Sequence, residues 1–278
     1  MSTQYFAYRV FLNQPKGEFE FTPKEEVFIN AFEEIKEKRK NDFYDWGNEH
    51  ILYYIKDLGR DIHLLQLARK HVYQKPIPGE NEIVRVPDID YPNIYVAFHV
   101  KYQIVLIQKK TSVFQSLDIS KSKLERFLID KMMKHRVTCS FIEITDQRDF
   151  WVKLEEFDLI EKVEMEYAPP NFFGGKKAID RMTKEVQEET NYEKFKIILE
   201  NKYQGLKFGF ETFKEHIQRL SSGAGDFMVK GLKDGVAHTL GKFKIPFKKD
   251  IPNIEEESRE KLEQTFEDIN DLNKNENR

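Results

Sequence analysis

Cysteine is nearly absent: Cys139 is the only one in 278 residues. A lone thiol excludes an intramolecular disulfide framework and any multi-cysteine metal site. It stands in the apolar run Val137–Ile144, where it reads as a small buried hydrophobe rather than a nucleophile. Long apolar stretches are lacking too. None approaches the ~20 residues of a membrane-spanning helix, so no membrane insertion is expected. No basic segment followed by an apolar one precedes the structured pattern at Tyr5, and a cytoplasmic location is expected. Excess charge of one sign is small. The net charge is −3, so polyanion binding by overall charge is excluded and any such role must rest on how charge is distributed. Missing as well are a nucleophile elbow, a kinase motif set and a dinucleotide fingerprint. No catalytic residue, metal site or cofactor site is assigned.

What is present is enough apolar material for a core and an unusual amount of charge. Hydrophobic residues make up 40% and charged residues 33%, the latter above the ~25% of ordinary globular domains. With 23 Phe and 12 Tyr, global disorder is excluded. At ~150 residues per domain the length suggests two modules. The expected class is α+β: a mixed-sheet module over 1–170, a charged connector over 171–193, a small basic β-α-β-β-β module over 194–249, and an acidic helical tail over 250–278.

Local patterns support that division. Tyr5–Leu12 is short, aromatic and β-rich. Thr22 followed by Pro23 predicts a helix start, and Val27, Phe28, Ala31, Phe32 and Ile35 recur at helical spacing. Strands are expected at Ile51–Ile55, Ile62–Tyr73, Ile94–Val100 and Ile104–Lys109. The segment Gln74–Asn93, with four prolines, reads as an excursion between strands. Ser122 and Glu125 suggest a capping box, and Val137–Ile144 and Ile160–Tyr167 suggest further strands of the first module. In the second module a strand is expected at Lys194–Lys202, a helix at Phe210–Leu220, and a hairpin around Lys233-Asp-Gly235. A last strand is expected at Lys242–Phe247.

Several stretches invite chemistry. Ser221-Ser-Gly-Ala-Gly225 has the composition of a phosphate loop, but a helix ends there, whereas a phosphate loop opens one; the glycines better serve as a left-handed cap and turn. Phe172-Phe-Gly-Gly-Lys-Lys177 suits a hinge better than an anion site. The seven histidines lack the i, i+4 ligand spacing, although His63, His71 and His99 fall in predicted strands and could meet in the sheet. Asp88 with Asp90, and Glu164 with Glu166, put paired carboxylates on one face of an extended chain. A divergent metal-dependent nuclease would need such pairs to converge in the fold.

The Lys202–Lys249 stretch differs in kind. Lys207, Lys214, Arg219, Lys230, Lys233, Lys242, Lys244, Lys248 and Lys249 are its candidate nucleic-acid-binding residues. Lys242 and Lys244 share one face of the predicted strand while Phe243 and Ile245 share the other. A basic sheet face of this kind would attract phosphate backbone, DNA ahead of RNA, without reading sequence. If about five of these cations neutralise phosphates, the log–log salt slope is roughly −4.5. The acidic tail that follows, with Leu262, Phe266, Ile269 and Leu272 at helical spacing, could mask that face or dock on the core.

Three segments together resemble bacterial phage-defence proteins: the strand into Val10-Phe-Leu-Asn13, the β-α-β segment ending Tyr167-Ala-Pro-Pro-Asn171, and Leu220–Gly235. The family is that of the Rex-type phage-exclusion sensor of lambdoid prophages and related abortive-infection proteins. The resemblance implies a cytoplasmic homodimer that binds DNA without sequence preference and signals to an effector protein; no catalytic residue carries over. The leading expectation is therefore a non-enzymatic nucleic-acid-binding sensor in antiviral defence. Its rivals are a protein–protein adaptor acting through aromatic surface and the acidic tail, and the divergent nuclease.

Overall fold

The computed structural model describes residues 3–14, 22–59, 61–145, 148–168, 178–190, 192, 194–207, 210–241 and 247–272. Across these residues the chain is α+β, with three antiparallel sheets. The large sheet runs β2 (Lys40–Asp45), β3 (Asn48–Gly59), β4 (Ile62–Arg69), β7 (Asn93–His99), β8 (Ile104–Gln108) and β1 (Gln4–Asn13). The far edge of β1 is shared. β14 (Lys248–Asp250) pairs with its first residues, Gln4–Phe6, and β9 (Thr138–Glu143) with Tyr8–Asn13.

β1 is apolar without alternating, and the reason is that both of its faces are covered. Tyr8, Val10 and Leu12 join Leu65, Leu67, Val96, Phe98, Val105 and Ile107 on one face. Against them lie α1 (Lys24–Lys38), through Phe28, Phe32 and Ile35, and α2 (Leu117–Met132), through Leu124, Phe127 and Leu128. Tyr5 and Ala7 join Ile62, Leu64, Ala97, Ile104 and Leu106 on the other face. That face is sealed by α6 (Arg259–Asp271), whose Leu262, Phe266 and Ile269 are fully buried. Within the acidic tail, α6 is therefore an amphipathic helix docked on the first sheet. Truncating Phe266 to alanine would cost ~3–5 kcal/mol.

The second sheet runs β11 (Phe195–Glu200), β10 (Leu159–Tyr167), β12 (Gly225–Lys233) and β13 (Val236–Leu240). Its inner face packs Val163, Met165, Tyr167, Phe227 and Val229 against Ile179 of α4 (Ala178–Thr190), Ile217 of α5 (Phe210–Arg219) and Leu154 of α3 (Arg148–Glu155). Pairing crosses the expected boundaries. β10 lies within 1–170 but pairs with β11 and β12, while β14 begins within 194–249 but pairs with β1. A period of two marks a strand without naming its neighbours. Two cap assignments also move. Ser116, not Ser122, caps α2 by accepting from the Ile119 amide at 3.3 Å, and α1 begins at Lys24 with Pro23 at its cap. Asp234 and Gly235 both have positive φ, 51° and 73°, as the Asp-Gly hairpin requires. The segment 171–177 and residues 242–246, including Lys242 and Lys244, lie outside the described residues.

The two sheets meet at a π-type turn, Leu220–Ala224. The Ser221 carbonyl accepts from the Thr145 amide at 2.9 Å, and the Ala224 carbonyl from the Ala168 amide at 2.9 Å. Arg9, half-buried, donates Nε to the Ser222 carbonyl, and Nη1 to the Tyr102 carbonyl and Asn270 Oδ1. Gly223 sits at φ 87°, and a Cβ there would lie 2.8 Å from Arg9 Cβ. The glycines of this stretch thus serve close approach and a turn.

His63 and His99 do not meet. Their strands pair, but His63 stacks near Phe32 of α1 while His99 contacts Phe266 of α6, on opposite faces. Burial holds the proton affinities of His50, His63, His99 and His216 below the ordinary value of 6.5, His99 at about 4. Groups with a depressed folded pKa leave stability whole above the unfolded pKa and remove it as pH falls toward the folded value. Urea unfolding from about pH 7.5 to about pH 4.5 should show stability falling by up to ~1.4 kcal/mol per pH unit for each excluded histidine. His99→Phe should remove one share of that slope; a profile flat below pH 6.5 contradicts the assignment.

Candidate functional site

The expected basic face separates into different places. Lys230 is exposed on β12, with Lys162 and Thr239 beside it in register. Lys207 is exposed in the loop after β11, and Lys214 is half-buried on α5. Lys233 forms an ion pair with Glu156 at 2.5 Å. Arg219 points inward near Tyr167, and burial lowers its proton affinity to about 10. Lys248 and Lys249 lie on β14, at the edge of the other sheet, opposite Phe6 and Tyr5.

The outer face of the second sheet is also charge-balanced. Lys162 pairs with Glu164 at 2.6 Å, Lys196 with Glu164 at 3.4 Å and Glu166 at 3.6 Å, and Lys194 with Glu166 at 2.8 Å. Glu200 and Asp226 stand in the same rows. Each pair is worth little in stability, but together they flatten the field that a polyanion would feel. The same pairs occupy the carboxylates considered for metal. On the other side of the molecule, Asp88 is bonded to Tyr73 and Lys75, and Asp90 to His71. Among the described residues no group of three or more His, Cys, Asp or Glu is placed to hold a metal ion. No helix among them is long and apolar enough to cross a membrane.

Two features escaped sequence reasoning. The first is a cleft of about 560 Å³ where the sheets meet, walled by α2 and β9 on one side and by the ends of β10 and β12 on the other. Asp118, Glu125, Glu143, Glu166 and Asp226 line it, with Lys121 and Lys194. Glu125 accepts the Phe141 amide at 2.5 Å, yet burial, reinforced by Asp118, pushes its proton affinity up. Five carboxylates from four elements, spread over more than 100 positions, leave no local signature.

The second feature is a ribbon. β5 (His71–Pro78) and β6 (Ile83–Asp90) pair only with each other, across the residues read as an excursion. In register, Val72, Gln74, Pro76 and Pro78 share a face with Ile89, Pro87, Arg85 and Ile83. Val72 is 59% exposed, Ile83 73% and Ile89 49%. At the ribbon's root the Lys70 amide donates to the Glu49 carbonyl, which brings it beside the β2–β3 turn and its exposed Tyr44 and Trp46. Alternation of apolar residues with proline in this segment was the available signal.

If the lysines acted together the salt slope would be steep. Of the candidate cations on the second sheet and its loop only Lys207 and Lys230 are exposed, so duplex DNA titrations are expected to give a slope no steeper than roughly −2. A value near −4.5 would restore the lysine face as a unit. No protein-family model matches the chain, and no curated protein matches it significantly.

Proposed function

We propose that the chain is a non-catalytic protein-binding module, an adaptor or regulatory subunit, whose contact surface is the β5–β6 ribbon with the aromatic residues at its root. One observation carries this reading. Of the 13 exposed large hydrophobic residues among those described, seven lie here: Tyr44, Trp46, Val72, Ile83, Val84, Ile89 and Tyr91. Scattered exposed hydrophobes need no explanation, but a collected set marks an interaction surface. Tyr and Trp are the side chains that most often anchor such contacts.

The ribbon's chemistry supports contact through its faces. Pro76, Pro78 and Pro87 lack backbone donors, so the edges are poor templates for an added strand. A two-stranded ribbon is marginal alone, and its apolar face gains stability when covered. The acidic helix α6 has no part in this surface, because its apolar residues are already buried against the first sheet. In the phage-defence setting that the resemblance implies, the partner would be the effector protein. A backbone-binding role for the lysines draws on less, since their neighbours on β10 and β11 offset them.

The test pairs Val72→Asp with Ile89→Asp. Both positions are exposed, so the double variant should unfold within ~0.5 kcal/mol of the unmodified chain per site. Proteins captured from extract by the unmodified chain should be lost from the variant. Retention of the same captured set would remove the ribbon as the contact surface.

A further inference from the structure

The second sheet ends in an open edge. Its order is β11-β10-β12-β13, so among the described residues β11 has a neighbour on one side only. The phase of its hydrogen bonds follows from the bonds that flank it. The Asn201 amide donates to the Glu161 carbonyl, one step beyond the Lys162–Glu200 pair. Bonded pairs in an antiparallel ladder recur at every second residue, so Phe195, Ile197 and Leu199 bond to β10. Across β10 the Ala168 amide donates to the Ala224 carbonyl, which gives the alternate residues of β10 to β12 and agrees with this phase. Lys196, Ile198 and Glu200 therefore turn their amides and carbonyls outward. No hydrogen bond among the described residues reaches those groups.

Natural edges are usually blunted by proline, a bulge or extreme shortness. The ribbon strands carry Pro76, Pro78 and Pro87. β11 has six residues, no proline and an unbroken register with β10. Its side chains are also incompletely covered on both faces. Phe195, Ile197 and Leu199 pack against the second core yet stay partly exposed, and Ile198 on the other face is 51% exposed. A further strand alongside would cover both faces.

Charge decides which strand fits. An antiparallel neighbour must set an acid against Lys196, an apolar residue against Ile198 and a base against Glu200. β11 itself, turned end for end, is such a strand. We propose that β11 pairs with β11 of a second copy about a two-fold axis through Ile198, joining two four-stranded sheets into one. Ile198 then faces its own copy, and Lys196 faces Glu200 on both sides of the axis. The same register matches the outward amides to the outward carbonyls, with about six hydrogen bonds in all. On the inner face Ile197 meets Leu199 and extends the core across the axis. Lys196 already touches Glu164 at 3.4 Å and Glu166 at 3.6 Å, and Glu200 touches Lys202 at 3.4 Å. Both side chains remain open to solvent, 45% and 43% exposed, so each has room for a second contact. Beyond the paired residues Lys194 and Lys202 come opposite each other, and each keeps an acid of its own, Glu166 and Glu200.

Sedimentation of the full-length protein over a range of concentrations is the test. A six-residue edge is small for a lasting interface, so reversible dimerisation on the order of micromolar is expected. Ile198→Pro removes an outward amide that bonds nothing within the chain, a place where edge strands accept proline. It should melt within a few degrees of the unmodified protein and sediment as a monomer. Lys196→Glu and Glu200→Lys each set two like-charge pairs across the axis and should weaken dimerisation about tenfold. Mixing these two variants puts opposite charges back at both sites and should restore the dimer. Val72→Asp with Ile89→Asp should dimerise as the unmodified chain does, which separates the edge from the ribbon. A monomer at every concentration, a dimer that survives Ile198→Pro or is lost with the ribbon substitutions, or charge reversals that do not recover on mixing would overturn the proposal.

Discussion

The half-buried guanidinium of Arg9 is the constraint on which the arrangement of this chain depends. An arginine drawn partly out of water needs protein acceptors for the donors it hides. Arg9 meets that demand with two backbone carbonyls and one side-chain amide, drawn from three distant parts of the chain: Tyr102 between β7 and β8, Ser222 in the junction turn, and Asn270 near the end of α6. The helix end also presents the negative pole of its dipole. One side chain of β1 thus ties together the first sheet, the second sheet and the C-terminal helix. The glycine at position 223 belongs to the same contact, since any side chain there would collide with Arg9.

Around that point the fold divides the work. β1 sits between α1 and α2 on one side and α6 on the other, so this strand is sealed only when all three helices are in place. The second sheet builds its own core and leans on the first through the turn at Leu220–Ala224. The cleft lies beside that turn, where the two sheets meet. The ribbon stands apart, pairs only with itself, and leaves its apolar side chains in solvent. It supports nothing in the core, which frees it for contact.

The parts of the fold that were legible are those written in short stretches. The helical spacing from Val27 to Ile35 located α1, the Asp-Gly pair located the β12–β13 turn, and the Ser-Ser-Gly-Ala-Gly run marked the end of α5. Phe266 and Ile269 gave the buried face of α6, but nothing local to them says which sheet they cover. Sheet membership failed in the same way for β10 and β14, because pairing partners lie far off in sequence. The acids beside the lysines were hidden for the same reason. Lys196 and Glu164 are 32 positions apart, and only the β10–β11 register makes them neighbours. Charge counted along the chain is not charge summed over a surface.

Native-state hydrogen exchange, compared between the unmodified chain and Arg9→Met, tests this account most directly. Amides of β1, α6 and the Leu220–Ala224 junction should open together in the unmodified protein and lose protection together in the variant, while the ribbon amides of β5 and β6 exchange fast in both. Loss of protection confined to β1, or a ribbon as slow to exchange as β1, would contradict it.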